Sequence, residues 1–288
     1  MTAAGTPVAE VAAAANTRGP GATIQRGLLI VNADDWGRDA RTTGRILECA
    51  AAGAVSSVSA MVFMEDSDRA ASIALTGNIE AGLHLNLTTP FSAPLRPRPL
   101  AERQEAVARH LLRHRLAPTV FHPGLMGSFE YVVRTQLDEF QRLYGKPPSR
   151  LDGHRHMHLC ANVLLSRLLP AGTLVRRNFS FQRGEKGLWN RAYRRGVDHL
   201  LARRHRLVDF FFALAPLDGL DRLERIVSLA RRFVVEVEAH PVHPDEYRFL
   251  TSGEFFRRAG DVRIASASAL TGLGATSTST GLSQPRTP

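Results

Sequence analysis

Short apolar runs alternate with amphipathic, helix-length segments along most of the chain. Seven segments are predicted to be strands, most of them apolar runs and the fourth marked by the prolines that precede it. They are Leu28–Ala33, Val58–Met64, Ile79–Leu87, Arg150–Gly153, Thr173–Arg176, Val208–Leu214 and Phe233–Ala239. Helices are predicted between them, at Arg41–Ala52, Ser67–Leu75, 101–116, 128–144 and Leu220–Arg232. This repeated alternation predicts an α/β protein with a parallel sheet, either doubly wound or closed into a barrel.

The two ends of the chain lack this pattern. Residues 1–25 are rich in Ala, Gly, Thr and Pro, and residues 265–288 are rich in Ser, Thr and Gly. Neither segment can bury enough apolar surface to offset the entropy lost on ordering, so both are expected to be disordered tails. One folded domain is therefore predicted at residues 26–264.

The composition also indicates a compartment. Two cysteines, Cys49 and Cys160, are too few for a disulfide framework. No run reaches the roughly 18 apolar residues that a spanning helix needs. The N-terminal stretch lacks the basic start of a signal peptide. These features predict a cytoplasmic protein and leave open a peripheral contact at the inner membrane face.

Polar side chains gather where four of the predicted strands end. Asn32–Gly37 brings two adjacent carboxylates directly after the first strand, and His84 lies near the end of the third. Asp152–His158 ends the fourth strand with three histidines at alternate positions, and Glu236–Pro244 ends the seventh with two more. Because parallel α/β folds collect their chemistry at the carboxyl ends of the strands, these groups are predicted to share one site.

The residue types in these groups point to metal-assisted hydrolysis. One aspartate and two histidines, with open positions for water, suit Zn²⁺ or another divalent cation. Imidazole is the commonest metal ligand near neutral pH. Of two adjacent aspartates at a strand end, one can ligate the metal while the other faces the substrate as a base. The residues alone leave open which aspartate takes which role.

Taken together, four motifs resemble the YdjC-like carbohydrate deacetylases, which include chitooligosaccharide and hopanoid-biosynthesis deacetylases. The motifs are Asn32-Ala-Asp-Asp-Trp-Gly37, Gly82-Leu-His-Leu-Asn86, Asp152-Gly-His-Arg-His-Met-His158 and His240-Pro241. The resemblance implies a single (β/α) barrel that is TIM-barrel-like but incomplete, with about seven strands. It also implies one divalent metal ion, Zn²⁺ or Mg²⁺, and an enzyme that hydrolyses the N-acetyl group of an amino sugar and releases acetate.

The same resemblance implies roles for individual residues. Asp35, His84 and His154 would be the metal ligands, Asp34 the general base and His240 the general acid. The residues that would line the substrate site are Trp36, Asn86, Arg155, His156 and His158. Trp36 stands where phenylalanine is usual in the family, and Arg155 could alter the choice of substrate.

Two other functions stay open beside deacetylation. The first is a metal-dependent phosphoesterase or another amidohydrolase on the same barrel, because a fold does not fix a function. The second is a basic sugar- or nucleic-acid-binding protein with a degenerate site. The intact ligand set and the lack of a nucleic-acid motif argue against this second function, so no nucleic-acid partner is expected. A homodimer stays open as well.

The charge of the chain is concentrated in one segment. There are 37 basic and 27 acidic residues, a formal net charge of +10. Residues 176–206 hold ten basic residues against Glu185 and Asp198, so this segment alone carries +8. The segment follows the fifth strand, so part of it is expected at the barrel mouth. It is either a solvated basic helix or an anion patch for the phosphates of a lipid- or nucleotide-linked sugar, or for an anionic membrane. The patch residues are Arg194, Arg195, Arg203 and Arg204.

Overall fold

The computed structural model describes residues 27–181, 185, 187–217 and 220–272. The predicted N-terminal tail and residues 273–288 of the predicted C-terminal tail lie outside the described residues.

Seven parallel strands form one curled sheet in the described part of the chain. They are β1 (Leu28–Trp36), β2 (Ser57–Ala60), β3 (Ala81–Leu85), β4 (Arg150–Gly153), β5 (Leu174–Val175), β6 (Phe210–Ala213) and β7 (Val234–Ala239). Their order across the sheet is β5-β4-β3-β2-β1-β7-β6. This is the strand order of a (β/α) barrel opened between β5 and β6. The predicted TIM-barrel-like α/β fold is therefore confirmed, as a curled half-barrel.

Helices connect the strands on the outside of the sheet. They are α1 (Ala40–Ala51), α2 (Ser67–Thr76), α3 (Arg98–Leu111), α4 (Met126–Tyr144), α5 (Ala161–Leu165), α6 (Leu188–Ala202), α7 (Leu220–Ala230), α8 (Pro244–Thr251), α9 (Glu254–Ala259) and α10 (Ala269–Gly272). Helix α1 begins where the Asp39 carboxylate accepts a hydrogen bond from the Thr42 backbone N–H at 2.8 Å. Helix α4 buries Phe129, Val133 and Phe140 against the sheet. Among the described residues, no helix is long and apolar enough to cross a bilayer.

The open seam of the barrel lies between β5 and β6. Leu174 forms an isolated parallel bridge with Arg206, just before β6. Beyond β5, the Ser180 N–H donates to the Phe211 carbonyl at 2.8 Å. These two contacts bring the edges of the sheet together without a continuous ladder, and so they curl the sheet around its inner face.

That inner face is charged rather than apolar. The side chains of Arg150 and Arg176 are no more than 2% exposed. Arg150 Nη1 donates to Asp152 Oδ2 at 3.1 Å and to Glu236 Oε1 at 3.3 Å. Arg176 Nε also donates to Glu236 Oε1, at 2.8 Å. Buried charges are tolerated only when they are paired and hydrogen-bonded, and here strands on opposite sides of the half-barrel supply the pairs.

The folded region extends past its predicted end at Ile264. The Ala265 N–H donates to the Leu29 carbonyl at 3.2 Å, and the Ser268 N–H donates to the Glu80 carboxylate at 2.9 Å. Ala267 is buried, in a small apolar cluster with β1 and β6 residues. The first residues of the predicted C-terminal tail therefore pack on the sheet, because their small apolar side chains fit between the strand ends.

Candidate metal centre and active site

The two adjacent aspartates of β1 are turned toward different partners. The pairing of β1 with β2 shifts register between Ala33 and Trp36, so the strand is irregular where the carboxylates lie. Asp35 has a backbone φ of +68°, in the left-handed region that residues other than glycine rarely adopt. Such strained residues cluster at functional sites, where the surrounding structure holds them in place.

His84 is held by an aspartate on the neighbouring strand. Its partner in the parallel register of β3 and β4 is Asp152, and His84 Nδ1 lies 2.7 Å from Asp152 Oδ1. The opposite ring nitrogen, Nε2, lies 3.4 Å from Asp35 Oδ1. Nε2 is buried and makes no aligned hydrogen bond. A carboxylate on one imidazole nitrogen fixes the ring and leaves the other nitrogen free to bind a metal.

His154 reaches the same carboxylate from the end of β4. Its Nδ1 lies 3.0 Å from Asp35 Oδ1, and its ring meets the His84 ring edge to face, with centroids 5.6 Å apart. The two residues that follow, Arg155 and His156, have φ values of +55° and +57°. This sharp turn directs His154 inward, while Arg155 is exposed.

Asp35, His84 and His154 could hold a metal ion. One ligand atom from each residue lies within 4.8 Å of the other two. A carboxylate oxygen and two imidazole nitrogens, one of them buried without a hydrogen bond, fit a divalent cation that keeps positions open for water. The same spacing also unites Asp34, His84 and Asp152. That second group is less suited to a metal, because arginine guanidinium groups already bind both of its carboxylates.

The electrostatics of the three residues favour a cation between them. Burial would raise the pKa of Asp35, but the hydrogen bond with His154 and the nearby His84 imidazole hold it far below its usual range. Burial would lower the pKa of His84, but the carboxylates of Asp34 and Asp152 raise it to about 10. The carboxylates around His84 thus favour positive charge at this position, and a bound divalent cation would supply it.

Asp34 is fixed by a buried arginine. Arg176 Nη1 lies 2.7 Å from Asp34 Oδ2, and Arg176 Nη2 lies 2.8 Å from Oδ1. Asn32 donates a further hydrogen bond to Oδ1 at 2.7 Å. Burial would raise the pKa of Asp34, but Arg176 and His84 hold it below its usual value. Oδ1 has two donors and Oδ2 has one, so Oδ2 keeps a free lone pair.

Two further histidines border the site. His240 Nε2 lies 3.9 Å from Asp34 Oδ2, and the His240 side chain is 31% exposed. The His240 backbone N–H donates to the Glu246 carboxylate at 2.7 Å, which fixes the turn after β7. His156 Nε2 lies 3.6 Å from Glu238 Oε2, and its ring packs on Phe179 with centroids 4.7 Å apart. Both rings are accessible from outside.

Three residues that were expected to line the substrate site are structural instead. Trp36 is fully buried, and its Nε1 donates to the Ala70 carbonyl at 3.2 Å. Asn86 is fully buried, and its Oδ1 accepts the Thr89 N–H at 2.9 Å, which closes the loop after β3. His158 is fully buried, and its Nε2 lies 2.9 Å from the Arg176 carbonyl. The motif spacing does not separate such supporting residues from exposed ones.

The predicted anion patch is divided between two ends of the barrel. Arg194 lies near the carboxyl ends of the strands, where its guanidinium stacks on Phe181 at 5.0 Å. Arg203 and Arg204 follow the last turn of α6, and the Arg204 carbonyl accepts the Gly172 N–H just before β5. Arg204 is therefore about 15 Å from Arg194 along the helix, at the opposite end of the strand, because each residue advances 1.5 Å. Part of the segment thus lies on the side of the predicted mouth, while Arg203 and Arg204 lie at the other end of the barrel.

The basic segment, residues 176–206, is also divided between buried and surface positions. Arg176 lies inside the half-barrel, and Arg177 Nη2 pairs with Asp198 Oδ2 at 2.8 Å. Arg183 and Lys186 lie outside the described residues. The buried groups that hold the site together, above all Arg150, Arg176 and Asp152, were not singled out from the sequence as supporting residues. Their signal was charge inside predicted strands, at Arg150–Gly153 and Thr173–Arg176.

Comparison with known proteins gives a consistent family. The family model described as YdjC-like protein matches residues 28–268, so the resemblance inferred from the four motifs is confirmed. The carbohydrate deacetylase of Mus musculus is 33% identical over 148 residues, a match that covers 47% of this chain and 44% of the mouse protein. The chitooligosaccharide deacetylase of Proteus mirabilis (strain HI4320) is 32% identical over 137 residues, covering 47% of this chain and 52% of that protein. The matches thus span about half the length of these curated relatives.

The fold is shared with solved structures. One of them is a protein of Enterococcus faecalis V583 that was provisionally assigned to cellobiose-phosphate cleavage. The TM-score is 0.58, the sequence identity is 19%, and the match covers 85% of this chain and 99% of that one. At this identity the likeness supports the architecture alone.

Proposed function

Because the chain belongs to the YdjC-like protein family, we propose that it is a metal-dependent hydrolase that removes an N-acetyl group from an amino sugar and releases acetate. The observation that carries the proposal is the meeting of Asp35, His84 and His154 around one small space. Asp34 and His240 lie beside that space, 3.9 Å apart. The relatives named as carbohydrate and chitooligosaccharide deacetylases supply the bond type.

The metal would be held by Asp35, His84 and His154, with Asp152 fixing the His84 ring. When bound there, a divalent cation polarises a carbonyl oxygen and lowers the pKa of water from 15.7 toward about 7. Zn²⁺ and Mg²⁺ are the candidate ions.

Asp34 is the proposed general base. Its lowered pKa keeps it ionised near neutral pH, and Arg176 holds it in one orientation through two hydrogen bonds. The Oδ2 atom, which keeps the free lone pair, lies 3.9 Å from His240 Nε2. A carboxylate held in this way can accept a proton from water without first losing side-chain freedom.

His240 is the proposed general acid for the leaving amine. The ring is partly exposed and close to Asp34, so it can reach both the site and bulk water. Arg155 and His156 are the proposed substrate contacts, since both lie at the rim and neither is buried. The substrate is an N-acetylated amino sugar, either free or carried by a lipid or a nucleotide.

The test is acetate release from free, lipid-linked and nucleotide-linked N-acetylglucosamine, with parallel assay of phosphate release. We expect Asp34→Asn to lower kcat by about 10²- to 10⁴-fold with the metal retained. We expect His84→Ala to lose both metal and activity. His114→Ala removes an exposed histidine outside the site and is the matched control. Full activity in metal-depleted protein, or phosphate release without acetate release, would refute the proposal.

A further inference from the structure

Helix α6 presents an apolar stripe to solvent. Within this helix only Val197 and Leu201 are buried. Leu188 is 79% exposed, Trp189 is 91% exposed and Tyr193 is 47% exposed. The exposed apolar positions of the stripe are Leu188, Trp189, Ala192, Tyr193, Gly196 and Leu200, and one polar residue, His199, is exposed on the same face. These positions recur at intervals of one helical turn, so they form one continuous face about 20 Å long. We call this face the α6 face.

The α6 face is bordered by arginines that form no ion pair within the part of the chain that the structure describes. Arg191 and Arg195 lie on one side of the stripe, and Arg203 follows the end of the helix. The single acidic residue of α6 is Asp198, which is engaged by Arg177 at 2.8 Å. Among the described residues, no carboxylate pairs with Arg191, Arg195 or Arg203, so their charge is available to a partner.

A basic groove opens at the C-terminal end of the same helix. It has a volume of about 370 Å³, and leucines, including Leu165 and Leu200, form most of its apolar lining. Arg167, Arg203 and Arg204 line it, and it contains no acidic residue. Arg204 Nη1 is buried and has no hydrogen-bond partner among the described residues. A buried guanidinium N–H without an acceptor points to an anionic ligand that completes it.

We propose that the α6 face and this groove together form a docking surface for an anionic lipid bilayer. Tryptophan, tyrosine and leucine beside arginine is the composition of helices that lie in the membrane interface. The groove offers an anionic headgroup three guanidinium groups above an apolar floor. A second copy of this chain fits the surface poorly, because a two-fold interface would set the same arginines against each other.

The docking surface is connected to the candidate active site. Arg194 on α6 stacks on Phe181, whose ring lies 6.3 Å from that of Phe179. Phe179 in turn contacts His156 at the rim of the site. The middle of α6, at Arg194, therefore lies on the rim side of the barrel, whereas the groove lies toward its opposite end. The docking itself does not depend on the proposed deacetylation and is tested without an activity measurement.

Tryptophan fluorescence in the presence of lipid vesicles tests the proposal, because the chain contains two tryptophans and they differ in exposure. Trp36 is fully buried, so a change on adding vesicles reports Trp189. We expect a blue shift, and quenching by brominated lipids, with equimolar phosphatidylglycerol and phosphatidylcholine vesicles but not with pure phosphatidylcholine vesicles. Trp189→Phe should remove the signal and keep co-sedimentation with the anionic vesicles. An unchanged Trp189 spectrum together with no co-sedimentation would overturn the proposal.

Substitutions then separate the contributions of apolar and charged side chains to vesicle binding. We expect the double variant Leu188→Ala, Trp189→Ala to bind anionic vesicles at least about tenfold more weakly. Arg195→Gln and Arg203→Gln should each weaken binding about fivefold, an effect that added salt mimics. Leu75→Ala, which truncates a leucine that is 56% exposed on α2, and Arg115→Gln are the matched controls.

Three further results would contradict the docking surface. One is an equal loss of binding in the controls and in the α6 variants. Another is full competition by inorganic phosphate alone, which would show that the groove takes a free anion. The third combines two observations. Light scattering would show a wild-type dimer that Trp189→Ala dissociates, and the wild-type protein would not bind vesicles. Far-ultraviolet circular dichroism checks that each variant is folded.

Discussion

Arg176 and the pair Arg203 and Arg204 come from one short stretch of chain but lie in opposite surroundings. Arg176 is fully buried and contacts the carboxylates of Asp34, Asp152, Glu236 and Glu238 at 2.7 to 3.2 Å. By contrast, the guanidinium groups of Arg203 and Arg204 have no carboxylate partner in the part of the chain that the structure describes. Each of these arginines nevertheless adds one positive charge to residues 176–206.

The difference shows that net charge predicts a partner only after the paired residues are removed. Taking a guanidinium out of water costs several kcal/mol, and Arg176 recovers this through four carboxylates and a fixed geometry. Its role is internal, because it holds Asp34 in place beside the candidate metal ligands. The arginines at the end of α6 have no such compensation inside the protein, so they are the ones available for binding.

The largest expected effect comes from removing the interior arginine. Arg176→Leu leaves four buried carboxylates without their shared cation, so the free energy of unfolding should fall by about 3–5 kcal/mol. Urea unfolding measures this loss. Arg231→Leu is the surface control, because Arg231 is half exposed in an ion pair with the exposed Asp261, and its loss should cost far less. Equal losses in the two variants would erase the distinction between interior and surface arginines.

A second effect tests whether the interior network serves the metal ligands. Asp152→Asn weakens the contact that fixes His84, so metal affinity should fall about 10- to 100-fold. Calorimetric titration of the folded variant with Zn²⁺ measures it. Glu236→Gln alters a buried carboxylate of the same network that does not contact His84, and it should leave the affinity unchanged. If the two variants lose the same affinity, the network acts through general stability and not through His84.

The sheet and the ligand set could be predicted because both follow from local patterns. Most of the seven strands lie in apolar runs, and Asp35, His84 and His154 come at or just after the strand ends. The inner face of the half-barrel could not be predicted in this way. Arg150 and Arg176 meet partners 118 and 60 residues away, on β1 and β7. Contacts of this kind depend on how the sheet curls, which hydrophobic periodicity does not encode.

Burial was also hard to predict for motif residues that support the site. His156 and His158 are two residues apart, and an extended chain would turn them to the same side. The left-handed conformation of Arg155 and His156 changes the direction of the chain instead. As a result His156 stays at the rim while His158 points into the core. A single strained turn thus separates a candidate substrate contact from a structural residue.

The buried histidine predicts how stability depends on pH. Burial lowers the pKa of His158 to about 3, from its usual value near 6.5. Below pH 6.5 this histidine is therefore protonated in the unfolded chain but not in the folded chain. The free energy of unfolding should fall as the pH drops from 6.5 toward 3. The slope should be about 1.4 kcal/mol per pH unit. Urea unfolding between pH 6.5 and 5 tests it, and His158→Gln should abolish this slope. A variant with the wild-type slope would assign the acid sensitivity elsewhere.

The smallest effect is expected at the other end of the comparison, where Arg204 lines the groove. Its Nη1 is buried without a partner, and the nearby charges of Arg167 and Arg203 repel it. Arg204→Met keeps the length and apolar stem of the side chain and removes the uncompensated charge. The free energy of unfolding should rise slightly, by about 0.5 kcal/mol or less, in the absence of lipid. Chemical denaturation measures the change, and binding to anionic vesicles should weaken in the same variant. A loss of more than about 1 kcal/mol would mean that Arg204 is a structural cation like Arg176, and that the groove is part of the fold and not a binding surface.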